Sequence, residues 1–311
     1  MKTISIVIPA YNEEKNIVPL IASIRECFPH DRYQYELIFV DDGSKDATLT
    51  KIEEAAKHDE HIFYLELSRN FGHQNALKAG LDYAMGDAVI SMDCDMQHPP
   101  HLLNSLIENW EEGYDIVYTR REENQNLSFL KRKSGNAYYR IFNWLAEVNI
   151  EKGTADFRLM DRRVIDIFTQ FNEDDLFIRG LIPWMGFKQK AIDYQPSERL
   201  SGKTKYTFRK MVVLAISGIT SLSIRPLYAA IYLGLTISAL ALIATPFVIL
   251  SFQPRHHIVF IWASLLLTIV FFGGLQLTVM GTIGLYIGKT FMQVKHRPTY
   301  IVRNSNLPDK H

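Results

Sequence analysis

Over residues 1 to 119, short apolar runs alternate with amphipathic stretches. The runs Ile4–Ile8, Glu36–Val40, Ile62–Leu67, Ala88–Met92 and Ile116–Tyr118 are bounded by polar turns and predict strands. Between them, Glu14–Cys27, Ala47–His58, Gln74–Ala84 and Pro100–Glu111 show helical spacing of apolar positions. Strands alternating with helices predict an α/β fold, a mostly parallel, Rossmann-like sheet wrapped by helices. In such open sheets ligands sit at the carboxyl ends of the strands.

The pattern changes near residue 206. Tyr228–Phe252 and Ile258–Gly288 carry no charge, and Arg255 is the one formal charge between Pro226 and Gly288. About 20 apolar residues cross a bilayer, so each stretch is long enough, and lengths this great rarely stay uncharged in water-soluble cores. Gln253–His257 is a short polar hairpin between the two. Arg209, Lys210, Arg225, Lys289, Lys295, Arg297 and Arg303 flank the pair, against Arg255 alone in the hairpin, which predicts that both chain ends are cytoplasmic. The run Met211–Ile224 is uncharged but dotted with Ser and Thr, as in a helix lying at the interface. Pro246 is expected to kink the first span, and Gly284 and Gly288 stand at a spacing that permits close helix packing. The predicted organisation is a cytoplasmic domain over 1–205, an interfacial helix over 206–225, a transmembrane hairpin over 226–288 and a basic cytoplasmic tail over 289–311.

Composition removes several classes. Lys and Arg total 34, as do Asp and Glu, so net charge is zero and no nucleic-acid partner is expected. Two cysteines, Cys27 and Cys94, cannot build a disulfide framework. The apolar run at the amino terminus is too short for a signal-peptide core. Neither G-x-G-x-x-G nor a P-loop occurs.

Acids occupy the strand ends instead. In Val40-Asp41-Asp42-Gly43-Ser44, adjacent carboxylates point to opposite sides of an extended chain, so one can accept hydrogen bonds from a base or ribose while the other faces phosphate. Turn and helix-cap chemistry accounts for the same residues equally well. In Asp93-Cys94-Asp95-Met96-Gln97-His98, the two Asp side chains share one side of the strand exit and suit a hard divalent cation, with Gln97 offering a further oxygen. His73 and His98 are read as structural rather than as proton carriers.

Taken in order, Ile8-Pro9-Ala10-Tyr11-Asn12-Glu13-Glu14, Val40-Asp41-Asp42-Gly43-Ser44 and the Asp93/Asp95/Gln97 cluster resemble family 2 glycosyltransferases with the GT-A fold. Leu67-Ser68-Arg69-Asn70-Phe71-Gly72, Gly153-Thr154-Ala155-Asp156-Phe157-Arg158 and Arg199-Leu200-Ser201-Gly202-Lys203 resemble the polyprenyl-phosphate branch, which includes dolichyl-phosphate mannose synthases and bactoprenol glucosyltransferases. Two carboxy-terminal spans favour the bacterial members. The resemblance implies a UDP-sugar donor touched by Pro9, Tyr11, Glu13 and Asp41, with Asp42 nearby, and Mg2+ or Mn2+ on Asp93, Asp95 and Gln97. Asp156 corresponds to an acid near the sugar and acceptor. Cys94 stands where many relatives have a small residue, so the site is expected to be sensitive to thiol reagents.

The implied acceptor is undecaprenyl phosphate in the bilayer of a bacterial plasma membrane. A phosphate monoester is mostly dianionic at neutral pH, so the attack needs charge management more than a strong base. Arg121, Arg132 and Arg199 are the leading acceptor-phosphate ligands, because guanidinium groups bind phosphate bidentately, and Lys203 lies in the same pre-membrane loop as Arg199. Lys131–Lys133 suit a lipid-facing surface equally well. The expected reaction is inverting transfer of one sugar, glucose or N-acetylglucosamine. A processive synthase is disfavoured by the lack of Q-x-x-R-W and by two spans only, and a non-catalytic scaffold by the intact acidic cluster. The family also implies a homo-oligomer, a tetramer being one such assembly.

Overall fold

The computed structural model describes residues 1–122, 140, 142–148, 150–173, 176–195, 216–251 and 258–307. Eight strands form one sheet: β1 (Lys2–Ala10), β2 (Tyr33–Asp41), β3 (Ile62–Leu67), β4 (Ala88–Ser91), β5 (Ile116–Arg121), β6 (Thr154–Asp161), β7 (Gln189–Tyr194) and β8 (Val302–Ser305). Their order is β7-β5-β6-β4-β1-β2-β3-β8. The pairs among β4, β1, β2 and β3, and the pair β5–β7, are parallel, whereas β6 and β8 run antiparallel to their neighbours. The sheet is therefore mostly parallel, as the alternating pattern predicts.

Side chains alternate across the strands and build a core on each face. Ile4, Ile6 and Ile8 of β1, with Leu37 and Phe39 of β2, enter one cluster together with helices α1 (Ile17–Cys27) and α4 (Leu102–Glu111). Val7, Ile38 and Val40 point the other way, into a cluster with α3 (His73–Tyr83), α5 (Arg162–Phe168) and α6 (Ile178–Trp184). Helix α2 (Thr48–His58) adds Ile52 to the first face. Strands buried on both faces read as continuous apolar runs, and that makes β1, β4 and the second half of β2 visible in the sequence.

Three strands were not predicted. β6 enters antiparallel between β4 and β5, β7 pairs with β5, and β8 comes from the stretch expected to be a plain basic tail. Arg158 and Asp156 interrupt the apolar alternation of β6, and β8 is short and polar.

The apolar carboxy-terminal part forms α7 (Arg225–Ser251) and α8 (Ile258–Val294). By length and composition, one described helix, Thr268–Val294, suffices to cross a bilayer. A second candidate exists only if Ile216–Leu222 and Arg225–Ala241, bent by 94° at their junction, form one span. Helix α7 runs without a break across Pro246, and α8 continues past Gly288 into the basic segment. Among the described residues nothing packs where a Cβ on Gly284 or Gly288 would point.

Gly80 shows how closely α3 sits on the sheet. A Cβ there would lie 2.2 Å from Val7 Cγ1 and 3.0 Å from Val40 Cγ2. Gly80→Ala is expected to destabilise the chain by about 1–3 kcal/mol through overpacking, measured as a lowered denaturation midpoint.

Candidate active site

The carboxyl ends of β1 and β2 are stitched together before any ligand is considered. Register sets Pro9 beside Val40 and Ala10 beside Asp41. Asn12, at φ 56, donates its N–H to Ser44 Oγ at 3.0 Å and accepts from Lys45 N at 2.8 Å. Glu13 N donates to Thr48 Oγ1 at 2.8 Å. These bonds gather Pro9, Tyr11, Glu13, Asp41 and Asp42 along one rim, with Tyr11 exposed.

The two adjacent acids do different work. Both Asp42 oxygens accept backbone N–H groups, Phe71 at 2.7 Å and Gly72 at 3.0 Å, which anchors the loop Ser68–Gly72. Asp42 is thus occupied in shaping the rim rather than turned toward a ligand. Asp41 accepts from Ser44 N at 3.2 Å through Oδ2, while its buried Oδ1 has no hydrogen-bond partner among the described residues. Burial pushes the carboxyl pKa of both upward. A buried acceptor left open at a strand end awaits a donor such as an imide N–H or a ribose hydroxyl. Gly43 (φ +68) is required here, because a Cβ would meet Arg69 C at 2.7 Å and Asn70 N at 2.8 Å.

Beyond β4, Asp93, Asp95 and Gln97 follow one another around Met96, whose φ is 62. Asp95 accepts from Gln97 N at 3.1 Å and Gln97 Nε2 at 2.9 Å. Gln97 in turn accepts from Arg121 Nη2 at 3.0 Å, and Arg121 Nε donates to Tyr194 Oη at 3.1 Å. The Gln97 oxygen expected to face a cation therefore faces Arg121, and Gln97 links the acid to the arginine. Buried His98 stacks on Phe157 and accepts the Asp93 N–H at Nδ1, 2.9 Å away, a structural role as expected. Burial lowers its pKa. Cys94 is buried, and burial, reinforced by Glu13, Asp95 and Asp93, pushes its thiol pKa up. A buried, protonated thiol resists alkylation, which runs against the expected sensitivity to thiol reagents.

Asp156, on β6, is buried to 3% exposure. Arg179 grips it bidentately, Nε at 2.9 Å and Nη2 at 2.8 Å, and Arg158 Nη2 lies at 3.3 Å. Burial alone would raise its pKa, but Arg179, His73 and Arg158 together hold it well below the usual carboxylate range. His73 Nε2 lies 3.7 Å from Asp156 and 3.5 Å from Asp93. Although 44% of the His73 side chain remains accessible, the surrounding protein would lower its pKa. The Asp156 and Asp93 carboxylates reverse that and push it up to about 9. His73 thus lies beside the carboxylates of Asp93 and Asp156.

Arg179 was not singled out from the sequence, although a lone charge inside Leu176-Phe177-Ile178-Arg179-Gly180-Leu181-Ile182 signals a buried partner. The structure brings Asp93, Asp95, Gln97, Arg121 and Asp156 to one region, next to the rim carrying Asp41. Arg132, Arg199 and Lys203, with Lys131 and Lys133, lie outside the described residues.

Asp156→Ala strands a buried guanidinium, and a stability loss of about 3–5 kcal/mol is expected from denaturant titration. The native pKa of Asp156 is depressed, so its stabilisation is complete above the ordinary value of 3.8 and lost as pH falls below it. Acid unfolding of Asp156→Asn should lack that component, which the slope of stability against pH below 4 would reveal.

The family profile described as glycosyl transferase family 2 matches residues 5–168. The chain is 40% identical over 301 residues to an uncharacterized glycosyltransferase, YkcC, of Bacillus subtilis, covering 97% of this chain and 93% of that protein. It is 39% identical over 300 residues to a prophage bactoprenol glucosyl transferase homolog of Escherichia coli, covering 96% and 98%. A bactoprenol glucosyl transferase of Shigella phage SfV is 38% identical over 301 residues, covering 97% and 98%. The matched span takes in β1 to β6 with the acids at their ends, and the relatives align through the apolar helices as well: the chain is a glycosyltransferase and belongs to family 2.

Proposed function

We propose that this chain transfers one sugar, with inversion, from a UDP-sugar to undecaprenyl phosphate at the cytoplasmic face of a bacterial plasma membrane. Glucose is the favoured sugar, because relatives aligned over nearly the whole chain are named bactoprenol glucosyl transferases.

One observation carries the lipid acceptor. Arg179, which clamps Asp156, is followed by Gly180, where a Cβ would lie 2.3 Å from Leu222 Cδ1. Leu222 ends the short helix that leads into α7. Consecutive residues of α6 thus touch the buried acid of the site and the entry to the apolar helices, a placement suited to a nucleophile that arrives from a bilayer. With two spans, Ile216–Leu222 would lie along the interface and α7 and α8 would cross.

The donor half rests on Asp41, whose open oxygen suits the uracil imide or the ribose, and on Tyr11 and Glu13 beside it. The acids beyond β4 fit a divalent cation. Among the described residues no group of three or more His, Cys, Asp or Glu could cage an ion. Asp93 and Asp95 alone, both hard oxygen donors, match the way Mg2+ or Mn2+ is shared between one or two carboxylates and diphosphate oxygens. When bound, the ion neutralises charge on the departing nucleoside diphosphate. Arg121, steadied by Gln97 and Tyr194, supplies a planar donor for a phosphate. Asp156 stays ionised, and with Arg179 it orients rather than takes a proton. The dianionic acceptor needs no base.

Purified protein with Mg2+ or Mn2+, undecaprenyl phosphate and either UDP-glucose or UDP-N-acetylglucosamine should yield a monoglycosylated lipid, detected by mass, with glucose preferred. Asp95→Ala should lower its formation by about 100-fold or more. Polymer in place of a single-sugar product would indicate a processive synthase, and UDP-sugar binding without turnover a scaffold.

A further inference from the structure

The last described stretch returns from α8 to the edge of the sheet. Tyr300 Oη donates to Asp82 Oδ2 at 2.9 Å, and Tyr300, Val302 and Leu307 pack on the core beneath α3. Strand β8 then pairs antiparallel with β3. Asn306 closes the end, accepting from Tyr64 N at 2.7 Å.

Part of the segment reaches the donor rim. Ser68 N donates to Ile301 O at 2.9 Å, and Arg303 Nη2 donates to Ser68 O at 2.7 Å, so both backbone groups of Ser68 are taken. Ser68 opens the loop whose other end Asp42 holds at Phe71 and Gly72, and whose middle presses on Gly43. Arg303 Nη1 also pairs with Glu66 Oε1 at 2.9 Å. Glu66 stands directly across the ladder from Asp41, so Arg303 pairs with an acid whose charge bears on the Asp41 carboxyl.

We propose that Tyr300–Leu307 is a strap that positions the nucleotide pocket, with Arg303 as its positioning residue acting on Asp41 and Asp42 through Glu66 and Ser68. It ties the donor half of the site to the far end of α8, so the apolar helices and the nucleotide pocket are mechanically linked. The inference rests on the donor reading given above.

The test is UDP titration, with Mn2+, of the full-length protein in nanodiscs, alongside steady-state kinetics. Arg303→Ala is expected to weaken UDP binding about three- to tenfold, the loss of one or two hydrogen bonds to the rim. KM for the UDP-sugar should rise in the same proportion while kcat stays within about twofold, the sign of lost substrate binding rather than of lost folded protein. Arg303→Lys, which keeps the charge facing Glu66, should recover part of the affinity. Unchanged UDP affinity in Arg303→Ala, or a fall in kcat at constant KM, overturns the strap. Failure of the unaltered chain to bind UDP overturns the donor reading instead.

Discussion

A buried carboxylate that must remain charged organises this site. Asp156 lies inside the protein, where an isolated anion is costly, and it survives because guanidinium groups from β6 and α6 and the imidazole at the start of α3 surround it. Each partner belongs to a different element, so the ion cluster is also a joint. β6 can sit between β4 and β5 with a charge in its middle only if α6 brings Arg179 over it, and α6 in turn abuts the helix before α7. Breaking the cluster would loosen the acid, the sheet and the approach to the apolar helices together.

The pair Asp41–Asp42 shows a second economy. Neighbouring residues on a strand face opposite ways, so one dipeptide serves the architecture and, on the proposed donor reading, the ligand at once. Asp42 spends both oxygens on backbone N–H groups and makes a loop rigid. Asp41, one residue earlier, keeps an oxygen unspent, which is costly to bury and therefore informative about what the pocket receives.

Much of this was legible in the sequence, for physical reasons. β1, β2 and β4 are mostly buried, so their apolar runs stand out, and the acids after β2 and β4 fall where an open sheet places its ligands. β6 and β7 were hidden because their charged residues find partners on other elements, Asp156 on Arg179 of α6 and Asp193 on Arg120 of β5, a matter of tertiary pairing that no local window records. Arg179 and His73 were obscure for the same reason: each acquires its role from a carboxylate far away in the chain. The motif spacing put Asp93, Asp95 and Gln97 on one short turn, but it could not say that the Gln97 amide would turn its oxygen to Arg121. The apolar half announced itself by absence of charge, and the sharp bend between Leu222 and Arg225 falls where the uncharged, Ser- and Thr-dotted run meets the first long apolar stretch.

The pairing of β8 with β3 constrains the path of everything between them. A polypeptide that departs from one sheet and rejoins that same sheet has its two exits on one side of any barrier in between. The parity of its traverses is then even, whatever their number. A lone passage of α8 through a bilayer, with α7 left behind, would carry Val302–Ser305 to the opposite compartment and strip the edge of β3 bare.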